Sequence, residues 1–434
     1  MQHSHTSSQM ISNQKQFASL DRFILILSIA GQLVMAMLFG HFYDMRIFMA
    51  TGYLVGTSQN PYVAQDLTAV FNNSFSGGMT SVGYPPPWPL VLGLIFRTVY
   101  LVFPNLLIYN LAIKVPIILA NIGLAYLVAD ILKNLGAEAV VIRRAWIFML
   151  LSPFLLYFAT AWGQFDSIVA LLALLSLVLL DSGKVYRSAI LLALAISFKP
   201  IAIPLIPVVL IYQMGKSARR AINYLIAFFT SVILFCVAPF IIFGWDPTSI
   251  FKGWNYHFTI GGGMSFMTFL ELLKDSYQLP GQWWLIGLAW IPALGIGIYA
   301  LRYGINGFTD LLRKSTGMIM IFFLTRTWLS EPNIILILPF VLILASIGEL
   351  NNLALAAVWI LPLVFTIFNT SPPQLLFPSF PEAMTGLLKL SENFRVLRLV
   401  VRTLIVLPWQ IVGWWIVITC FKRNPSPSEV KMMA

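Results

Sequence analysis

Long apolar runs interrupted by few charges recur along the whole chain, and they restrict its fold more than any other feature. A bilayer core about 30 Å thick needs about 20 apolar residues for each crossing helix. Only 10% of the residues are charged, against roughly 25% in soluble domains. Because lipid offers the backbone no hydrogen bonds, a crossing segment must be a helix or part of a closed barrel. The runs are too long for barrel strands of about ten residues, so the sequence predicts an all-α polytopic membrane protein.

The apolar runs predict a bundle of about 11–13 transmembrane helices. The candidate spans are residues 22–41, 106–130, 146–161, 166–181, 188–213, 221–243, 283–301, 317–330, 333–348, 352–369 and 399–421. Residues 89–103 are short for a crossing, so we expect a partial or interfacial helix there. Residues 188–213 are either one crossing or a hairpin of two short helices. We favour a hairpin that breaks at Lys199-Pro200, since proline removes a helix hydrogen bond.

Basic residues set the expected topology. The net charge is +11, and the lysines and arginines lie in short clusters between apolar runs, as in cytoplasmic loops. Residues 1–20 and 424–434 are predicted to be cytoplasmic tails, the first of them disordered, flanking one transmembrane domain at 21–423. Three long segments with few basic residues then lie on the outer side: 42–88, 244–282 and 370–398.

The first outer segment, residues 42–88, is too long for a tight turn. Residues 44–56 and 62–71 carry aromatic side chains and are predicted to lie as short helices along the membrane interface. Residues 72–83, rich in glycine, serine and asparagine, are typical of a flexible stretch. The following Tyr84-Pro85-Pro86-Pro87 predicts a stiff segment that re-enters the membrane.

Three ionisable residues lie at or near bilayer depth, where charge is costly and usually functional. Asp44 directly follows the first span and could act as general base on a bound hydroxyl. The alternative is that Asp44 caps the helix starting near Met45. Asp166 begins a span, where the helix dipole favours a carboxylate whatever its function. Lys199 is far from the cytoplasmic ends of its apolar run, and its natural role is to hold an anionic phosphate.

Further polar residues are expected at the same membrane face. Arg326 and Glu331 share one short junction between apolar runs. They are either a structural ion pair or separate ligands, with Arg326 on a phosphate and Glu331 on a polar group. The predicted substrate-binding residues are Tyr62, Tyr84, Gln164, Asp166 and Glu331.

Several familiar motifs are missing from the sequence. It contains no P-loop, HExxH, GxGxxG or His/Cys metal spacing. Cys236 and Cys420 lie in apolar spans and supply neither a disulfide framework nor a metal set. We therefore expect no cofactor, with a divalent metal left open. Gly261-Gly262-Gly263 is predicted to be a flexible turn, and the lone histidines His41 and His257 are given no role.

The order of these blocks resembles the GT-C superfamily of membrane glycosyltransferases. It is most similar to polyprenyl-phosphate-mannose-dependent mannosyltransferases of the phosphatidylinositol-mannoside and GPI mannosyltransferase I types. The resemblance extends from about residue 42 to residue 340. Its blocks are Asp44, Pro61-Tyr62, Tyr84-Pro85-Pro86, Gly163-Gln164-Phe165-Asp166, Lys199-Pro200, Ser330-Glu331-Pro332-Asn333 and Leu338-Pro339. The chain departs from the pattern in having one Asp in the first loop, not a pair, and Tyr-Pro-Pro-Pro in place of His-Pro-Pro.

The resemblance implies a GT-C-like bundle and an inverting hexosyltransferase that takes a sugar, mannose by likeness, from a polyprenyl-phosphate donor. Asp44 would deprotonate a hydroxyl of a lipid-linked or glycan acceptor, which attacks the anomeric carbon. Lys199, with Arg326, would hold the departing polyprenyl phosphate, and Asp166 would orient the acceptor or sugar hydroxyls. The expected partners are the donor, the acceptor and the lipid bilayer, without nucleic acid. The cavity would face the extracytoplasmic side of the plasma membrane in a prokaryote, or of the endoplasmic reticulum in a eukaryote.

Two other functions would fit a polytopic protein with a few buried charges. A secondary transporter or flippase usually shows internal repeats and helices broken by glycine in both halves, and neither pattern is visible here. An oligosaccharide polymerase or ligase tends to rely on Arg and His in its outer loops. Histidine is sparse in the outer segments of this chain, although Arg395, Arg398 and Arg402 cluster near one of them.

Overall fold

The computed structural model describes residues 3–63, 71, 82–250, 262–269, 288–369 and 371–422 of the chain. Within these residues the structure is helical apart from one pair of short parallel strands, which confirms the predicted all-α class. The helices are α1 (His3–Leu38), α2 (Phe42–Gly56), α3 (Pro87–Ile95), α4 (Leu106–Asn134), α5 (Ala139–Leu151), α6 (Pro153–Leu155), α7 (Asp166–Asp181), α8 (Val185–Phe198), α9 (Leu205–Met214), α10 (Ala218–Val232), α11 (Ala238–Phe243), α12 (Trp290–Ala300), α13 (Gly307–Thr325), α14 (Leu338–Ser346), α15 (Asn352–Ile367), α16 (Ser371–Gln374), α17 (Pro381–Glu392) and α18 (Arg395–Phe421). The strands are β1 (Gly262–Gly263) and β2 (Trp328–Leu329).

Several helices have the length and composition of membrane spans, so the chain is an integral membrane protein. Five segments of the described chain are long and apolar enough to cross a bilayer: Ser19–Leu38, Leu106–Asn134, Ala139–Ala161, Ala218–Phe243 and Arg395–Phe421. Shorter apolar helices accompany them, among them α8, α9 and α15. In contrast, α13 and α14 are buried on nearly every face and form the centre of the bundle. The second half of α13 and all of α14 are apolar on every side, as is typical of helix segments in an interior position. The total number of crossings stays a prediction.

Contacts between helices show which of their ends lie together. Asn110 near the start of α4 contacts the carbonyl of Ala36 at the end of α1, and Asn121 bonds Gln32 farther along, so the two helices are antiparallel. α7 runs away from this region, and a tight turn at Gly183 returns the chain through α8 to Lys199. We call the two ends of the bundle the Lys199 end and the Gly183 end.

The chain reverses at Lys199, as predicted. Lys199 has an extended backbone (φ −155°, ψ 124°), and Pro200–Ala202 forms a single 3₁₀ turn before α9 begins. Lys184 at the start of α8 and Arg220 at the start of α10 line the same cavity, so α9 has brought the chain back to the Gly183 end. This confirms the hairpin over a single crossing.

The first loop packs at the Lys199 end. α2 matches the predicted helix 44–56, and α3 lies parallel to it, with Arg97 donating to the carbonyl of Gly56 at 2.6 Å. The hydroxyl of Tyr109, near the start of α4, donates to the Met49 carbonyl of α2 at 3.2 Å. Residues 87–100 therefore start and end at one side of the bundle, which confirms a partial helix there.

Other first-loop and terminal predictions have different outcomes. Most of the predicted helix 62–71 and of the flexible stretch 72–83 lies outside the described residues. At the N-terminus, the first helix extends back to His3, where the sequence predicted a disordered tail. No proline or glycine separates residues 3–20 from the span that follows, so nothing in the sequence interrupts the helix there.

Candidate functional site

Asp44 lies in the first turn of α2, at the corner where α1 ends. Its Oδ2 atom accepts a 2.5 Å hydrogen bond from Trp162 Nε1 and lies 3.1 Å from His41 Nδ1. The rings of His41 and Trp162 stack with their centroids 4.0 Å apart, which fixes both ring nitrogens beside the carboxylate. The helix-cap alternative is not observed, because His41 occupies the N-cap position and no side chain caps α2. The Asp44 side chain keeps 17% of its surface exposed.

The surroundings of Asp44 favour its ionised form. Burial raises the pKa of Asp44, but the hydrogen bond and positive charge of His41, with hydrogen bonds from Trp162 and Gln164, outweigh it. The net result is a pKa below the ordinary value for aspartate. Asp44 is therefore a carboxylate at neutral pH and can accept a proton.

Asp166 and Lys199 form a buried ion pair at the same end of the bundle. The Lys199 amine donates to both carboxylate oxygens of Asp166, at 2.9 and 2.8 Å, and more weakly to the Gln164 side-chain oxygen at 3.4 Å. The Asp166 side chain has no exposed surface, and that of Lys199 is 9% exposed. The tight α7–α8 turn makes this pair possible, because it returns the end of α8 beside the start of α7.

Gln164 and Tyr84 connect this ion pair to Asp44. The Gln164 side-chain oxygen accepts from Lys199 at 3.4 Å, and the Gln164 side chain lies close enough to Asp44 and Tyr84 to act on the pKa of each. Burial raises the pKa of the Tyr84 hydroxyl, and the negative charges of Asp44 and Asp166 raise it further, so Tyr84 lies within range of both carboxylates. The Lys199 amine also lies 5.5 Å from the centre of the Tyr84 ring. Five predicted residues, Asp44, Tyr84, Gln164, Asp166 and Lys199, thus share one site.

Arg326 supplies a second cation near Asp166. Burial lowers the pKa of Arg326 to about 10, with the charge of Asp166 acting in the opposite direction. Its Nη1 atom is buried and has no hydrogen-bond partner among the described residues. The strand pair β1–β2 holds this segment, and Ser265 donates to the Arg326 carbonyl at 2.5 Å. Gly262 and Gly263 therefore form a strand where the sequence predicted a flexible turn.

Glu331 lies in a separate polar group beside His41. It is 3% exposed and accepts a hydrogen bond from Asn369 at 3.1 Å, while Arg402 of α18 donates to the Asn369 oxygen at 3.4 Å. Burial raises the pKa of Glu331, and the hydrogen bond from Asn369 and the charge of Arg402 only partly offset it. The ion pair between Arg326 and Glu331 that we considered is absent from the described contacts. The extended strand β2 separates the two residues along the chain and directs them to different partners.

Tyr62 is not in the polar centre of the site. Its ring stacks on Phe240 at 5.2 Å, and its hydroxyl donates to the backbone carbonyl of Tyr84 at 3.0 Å. It is 2% exposed. In this structure Tyr62 therefore supports the Tyr84 segment from behind.

A buried lysine beneath the site was not identified from the sequence. Lys114 of α4 is fully buried, and its amine donates to the carbonyls of Ala36, Phe39 and Ala161. These carbonyls lie at the C-terminal ends of two helical segments, where the helix dipole favours a cation. Lys114 thus joins the corner before Asp44 to the segment before Trp162.

Most of the other overlooked residues could be seen only in three dimensions. His41 and Trp162 contact Asp44, and Asn369 and Arg402 lie beside Glu331. Trp162, Asn369 and Arg402 are far along the chain from the residues that they support, and His41 is a lone histidine. Lys114 is different, since a lysine inside an apolar run was the signal that identified Lys199. The same signal in the span 106–130 could have identified Lys114.

The geometry combines a held carboxylate with a buried cationic region. Among the described residues, no three His, Cys, Asp or Glu side chains come together in a way that could hold a metal ion. The carboxylate can take a proton, and Lys199 with Arg326 can stabilise negative charge that develops nearby. A site of this kind suits transfer of a group from an anionic leaving group to a hydroxyl.

Comparison with known proteins agrees with this chemistry. No curated protein matches the chain. The family model for Glycosyltransferase family 87 matches residues 84–325, which is more than half of the chain. The match includes Tyr84, Gln164, Asp166 and Lys199 of the site, ends just before Arg326, and begins after Asp44. It also favours a transferase over the transporter and polymerase alternatives. The chain therefore belongs to Glycosyltransferase family 87 and is a membrane glycosyltransferase.

Proposed function

We propose that this protein is an inverting hexosyltransferase that uses a polyprenyl-phosphate sugar, with mannose as the expected sugar. Asp44 is the general base that deprotonates an acceptor hydroxyl, and the resulting oxygen attacks the anomeric carbon. The bond from that carbon to the phosphate oxygen breaks, and polyprenyl phosphate leaves. The acceptor is a lipid-linked or other extracytoplasmic glycan, and the donor reaches the site from the outer side of the membrane.

One observation carries the proposal: Gln164 accepts a hydrogen bond from the Lys199 amine and lies within range of Asp44, so the base and the cation are on either side of one side chain. A base and a phosphate-binding cation must lie on either side of one sugar for direct transfer. Asp166 already neutralises Lys199. Arg326, whose buried Nη1 has no hydrogen-bond partner in the described part of the chain, supplies the additional positive charge that a phosphate needs. These contacts support the roles of Lys199 and Arg326 in holding the departing phosphate.

Donor binding would also strengthen Asp44 as a base. In this structure the pKa of Asp44 is below its ordinary value, which favours the carboxylate but makes it a weaker base. A phosphate bound nearby adds negative charge, and negative charge raises the pKa of a neighbouring carboxyl group. The base would therefore become more effective when the donor is in place.

In this proposal another side of the substrate site is formed by Glu331, Asn369 and Arg402. Glu331 would accept hydrogen bonds from sugar hydroxyls, as would Asp166 on the opposite side. Tyr157, whose hydroxyl has no hydrogen-bond partner among the described residues, lies within electrostatic range of Glu331. Unsatisfied buried polar groups of this kind are costly unless a ligand or water binds them.

The proposal is tested in membranes supplied with radiolabelled polyprenyl-phosphate mannose or, in a parallel assay, polyprenyl-phosphate glucose. Wild-type protein should transfer label and release polyprenyl phosphate. Asp44→Asn should lower turnover by about 10²- to 10⁴-fold, the usual contribution of a general base. Glu382→Gln, which removes an exposed first-turn carboxylate from α17, is the matched control and should keep full turnover. Equal turnover by wild type and Asp44→Asn would remove Asp44 as the base.

A further inference from the structure

A cavity lies at the Gly183 end of the bundle, away from the candidate site. Its volume is about 560 Å³, and it is lined by residues 183–187 together with Arg220 and Asn223. The 16 residues of α7, about 24 Å of helix, separate this end from Asp166. The sugar-transfer chemistry proposed above makes no use of this cavity.

The cavity is strongly cationic. Lys184, Arg187 and Arg220 line it, and no Asp or Glu does. Within the described parts of the chain, none of these three cations makes a salt bridge. The first turn of α8 also begins here. The amides of Lys184 and Val185 donate to the carbonyls of Leu179 and Gly183, and the next amides have no acceptor within the helix. The positive end of that helix dipole adds to the three side-chain charges.

The helices that border the cavity expose apolar side chains beside it. Tyr186 is 59% exposed and Ile190, one turn along α8, is 42% exposed. On α10, Ile222 and Ile226 are 56% and 61% exposed. In a membrane protein such surfaces face lipid chains. A charged cavity therefore opens next to two lipid-facing helix surfaces.

We propose that this cavity binds the head group of an anionic phospholipid. The phosphate binds Lys184, Arg187 and Arg220, and the acyl chains lie against the exposed apolar faces of α8 and α10. A small soluble anion would satisfy the charges but would make no use of the apolar faces. Basic pockets between transmembrane helices are known to bind anionic head groups in this way. The bound lipid would hold the starts of α8 and α10 together at the end of the bundle opposite the candidate site.

The test compares phosphatidylglycerol with phosphatidylcholine as probes. The purified full-length protein is titrated with each lipid in detergent, and retained lipid is counted by native mass spectrometry. Wild-type protein should bind phosphatidylglycerol in preference to phosphatidylcholine. In Lys184→Gln/Arg187→Gln/Arg220→Gln, phosphatidylglycerol should bind about fivefold more weakly for each cation removed, on the order of a hundredfold in total.

A matched control removes three cations at the same end but outside the cavity, in Lys133→Gln/Lys216→Gln/Arg219→Gln. It should keep wild-type affinity, and so should the charge-retaining Lys184→Arg/Arg187→Lys/Arg220→Lys. If the neutral triple variant does not fold, the single variant Arg220→Gln provides the fivefold test.

Three results would overturn the proposal. The first is equal binding of phosphatidylglycerol and phosphatidylcholine by the wild type. The second is a loss of affinity in Lys133→Gln/Lys216→Gln/Arg219→Gln that equals the loss in Lys184→Gln/Arg187→Gln/Arg220→Gln. The third is displacement of phosphatidylglycerol by inorganic phosphate at millimolar concentration, which would make the cavity a site for free anions.

Discussion

At the scale of single residues, the proposed proton transfer depends on the side chains that surround Asp44. Two stacked rings, His41 and Trp162, hold donors against one carboxylate oxygen. This arrangement orients the carboxylate and lowers its pKa at once. A carboxylate base becomes inactive when it is protonated as the pH falls. A lower pKa therefore keeps the base active to lower pH. The acid limb of the pH–rate profile therefore reports directly on these hydrogen bonds.

Trp162→Phe tests this dependence. Phenylalanine keeps an aromatic ring against His41 but cannot donate to Asp44, so the pKa of Asp44 should rise towards its ordinary value. Since the base must be unprotonated and an ordinary aspartate has a pKa of about 3.9, the acid limb of kcat/KM should move to higher pH, and activity near pH 4 should fall more than activity at pH 7. The control is Trp146→Phe, a buried tryptophan away from the site. An unchanged acid limb in Trp162→Phe would contradict the assignment of that limb to Asp44.

The sequence identified residues whose charge is unusual within or beside an apolar segment. Asp44, Asp166 and Lys199 could be selected because charge in an apolar chain is costly. Their partners could not. His41 is three residues from Asp44, yet nothing in the sequence shows that it stacks on Trp162, more than a hundred residues away. Arg326 and Glu331 are close in sequence but bind different groups, and only the β1–β2 pairing reveals this.

At the scale of elements, the α7–α8 hairpin creates the buried Asp166–Lys199 pair. Breaking such a pair from one side leaves an unpaired charge in the interior and costs about 3–5 kcal/mol. Lys199→Met should therefore lower the thermal midpoint in detergent markedly. Asp166→Asn/Lys199→Met, which removes both charges, should recover most of that stability. Neither variant should transfer sugar, because both lack the amine that we propose holds the phosphate.

Lys216→Met is the control for this pair of variants. Lys216 is exposed and rests on the Tyr212 ring without a carboxylate partner, so its replacement should leave the thermal midpoint close to that of the wild type. The account of the hairpin would be contradicted if Lys199→Met were as stable as the wild type, or if the double variant were less stable than the single one.

The turn before α7 depends on Gly163. Its φ of +96° favours glycine, and an added Cβ would lie 2.5 Å from Met45 Sδ and 2.9 Å from Lys114 Cε. Gly163→Ala should therefore be destabilised by more than the roughly 1–2 kcal/mol of left-handed strain. It should also lose turnover, because Met45 adjoins Asp44. Thermal midpoint and turnover are the measurements.

Gly136→Ala separates backbone strain from crowding. Gly136 has a similar φ of +77°, but nothing lies within 4 Å of an added Cβ. This variant should show the strain alone and keep its turnover. If both variants lost the same stability and activity, the close packing of Met45 and Lys114 on Gly163 would have no role.

Element predictions succeeded where a local signal was strong. The break at Lys199-Pro200 and the short helix before residue 103 followed from proline chemistry and from length. The extension of α1 back to His3 was missed because polar composition suggested disorder. The pairing of β1 with β2 was missed because strands of two residues leave no periodic pattern to read.

At the scale of the whole molecule, the bundle separates two kinds of site. The Lys199 end holds the carboxylates, the buried cations and the first-loop helices, and the Gly183 end holds a cationic cavity. The all-α membrane class could be predicted from the apolar runs alone. We also expected Asp44 and Lys199 on one side of the membrane. The sequence did not show that Gln164 would lie between them, or that the Lys114 amine would lie beneath them. Family membership establishes glycosyl transfer, and the geometry adds proposed roles for individual residues.

The most direct test of the central claim is a cryo-electron microscopy structure of Asp44→Asn with a polyprenyl-phosphate sugar bound. The inactive variant should trap the donor intact. We predict phosphate oxygens within hydrogen-bond distance of Lys199 and Arg326, with the anomeric carbon facing residue 44. Donor density elsewhere, or residue 44 and Lys199 opening into separate cavities, would contradict the account.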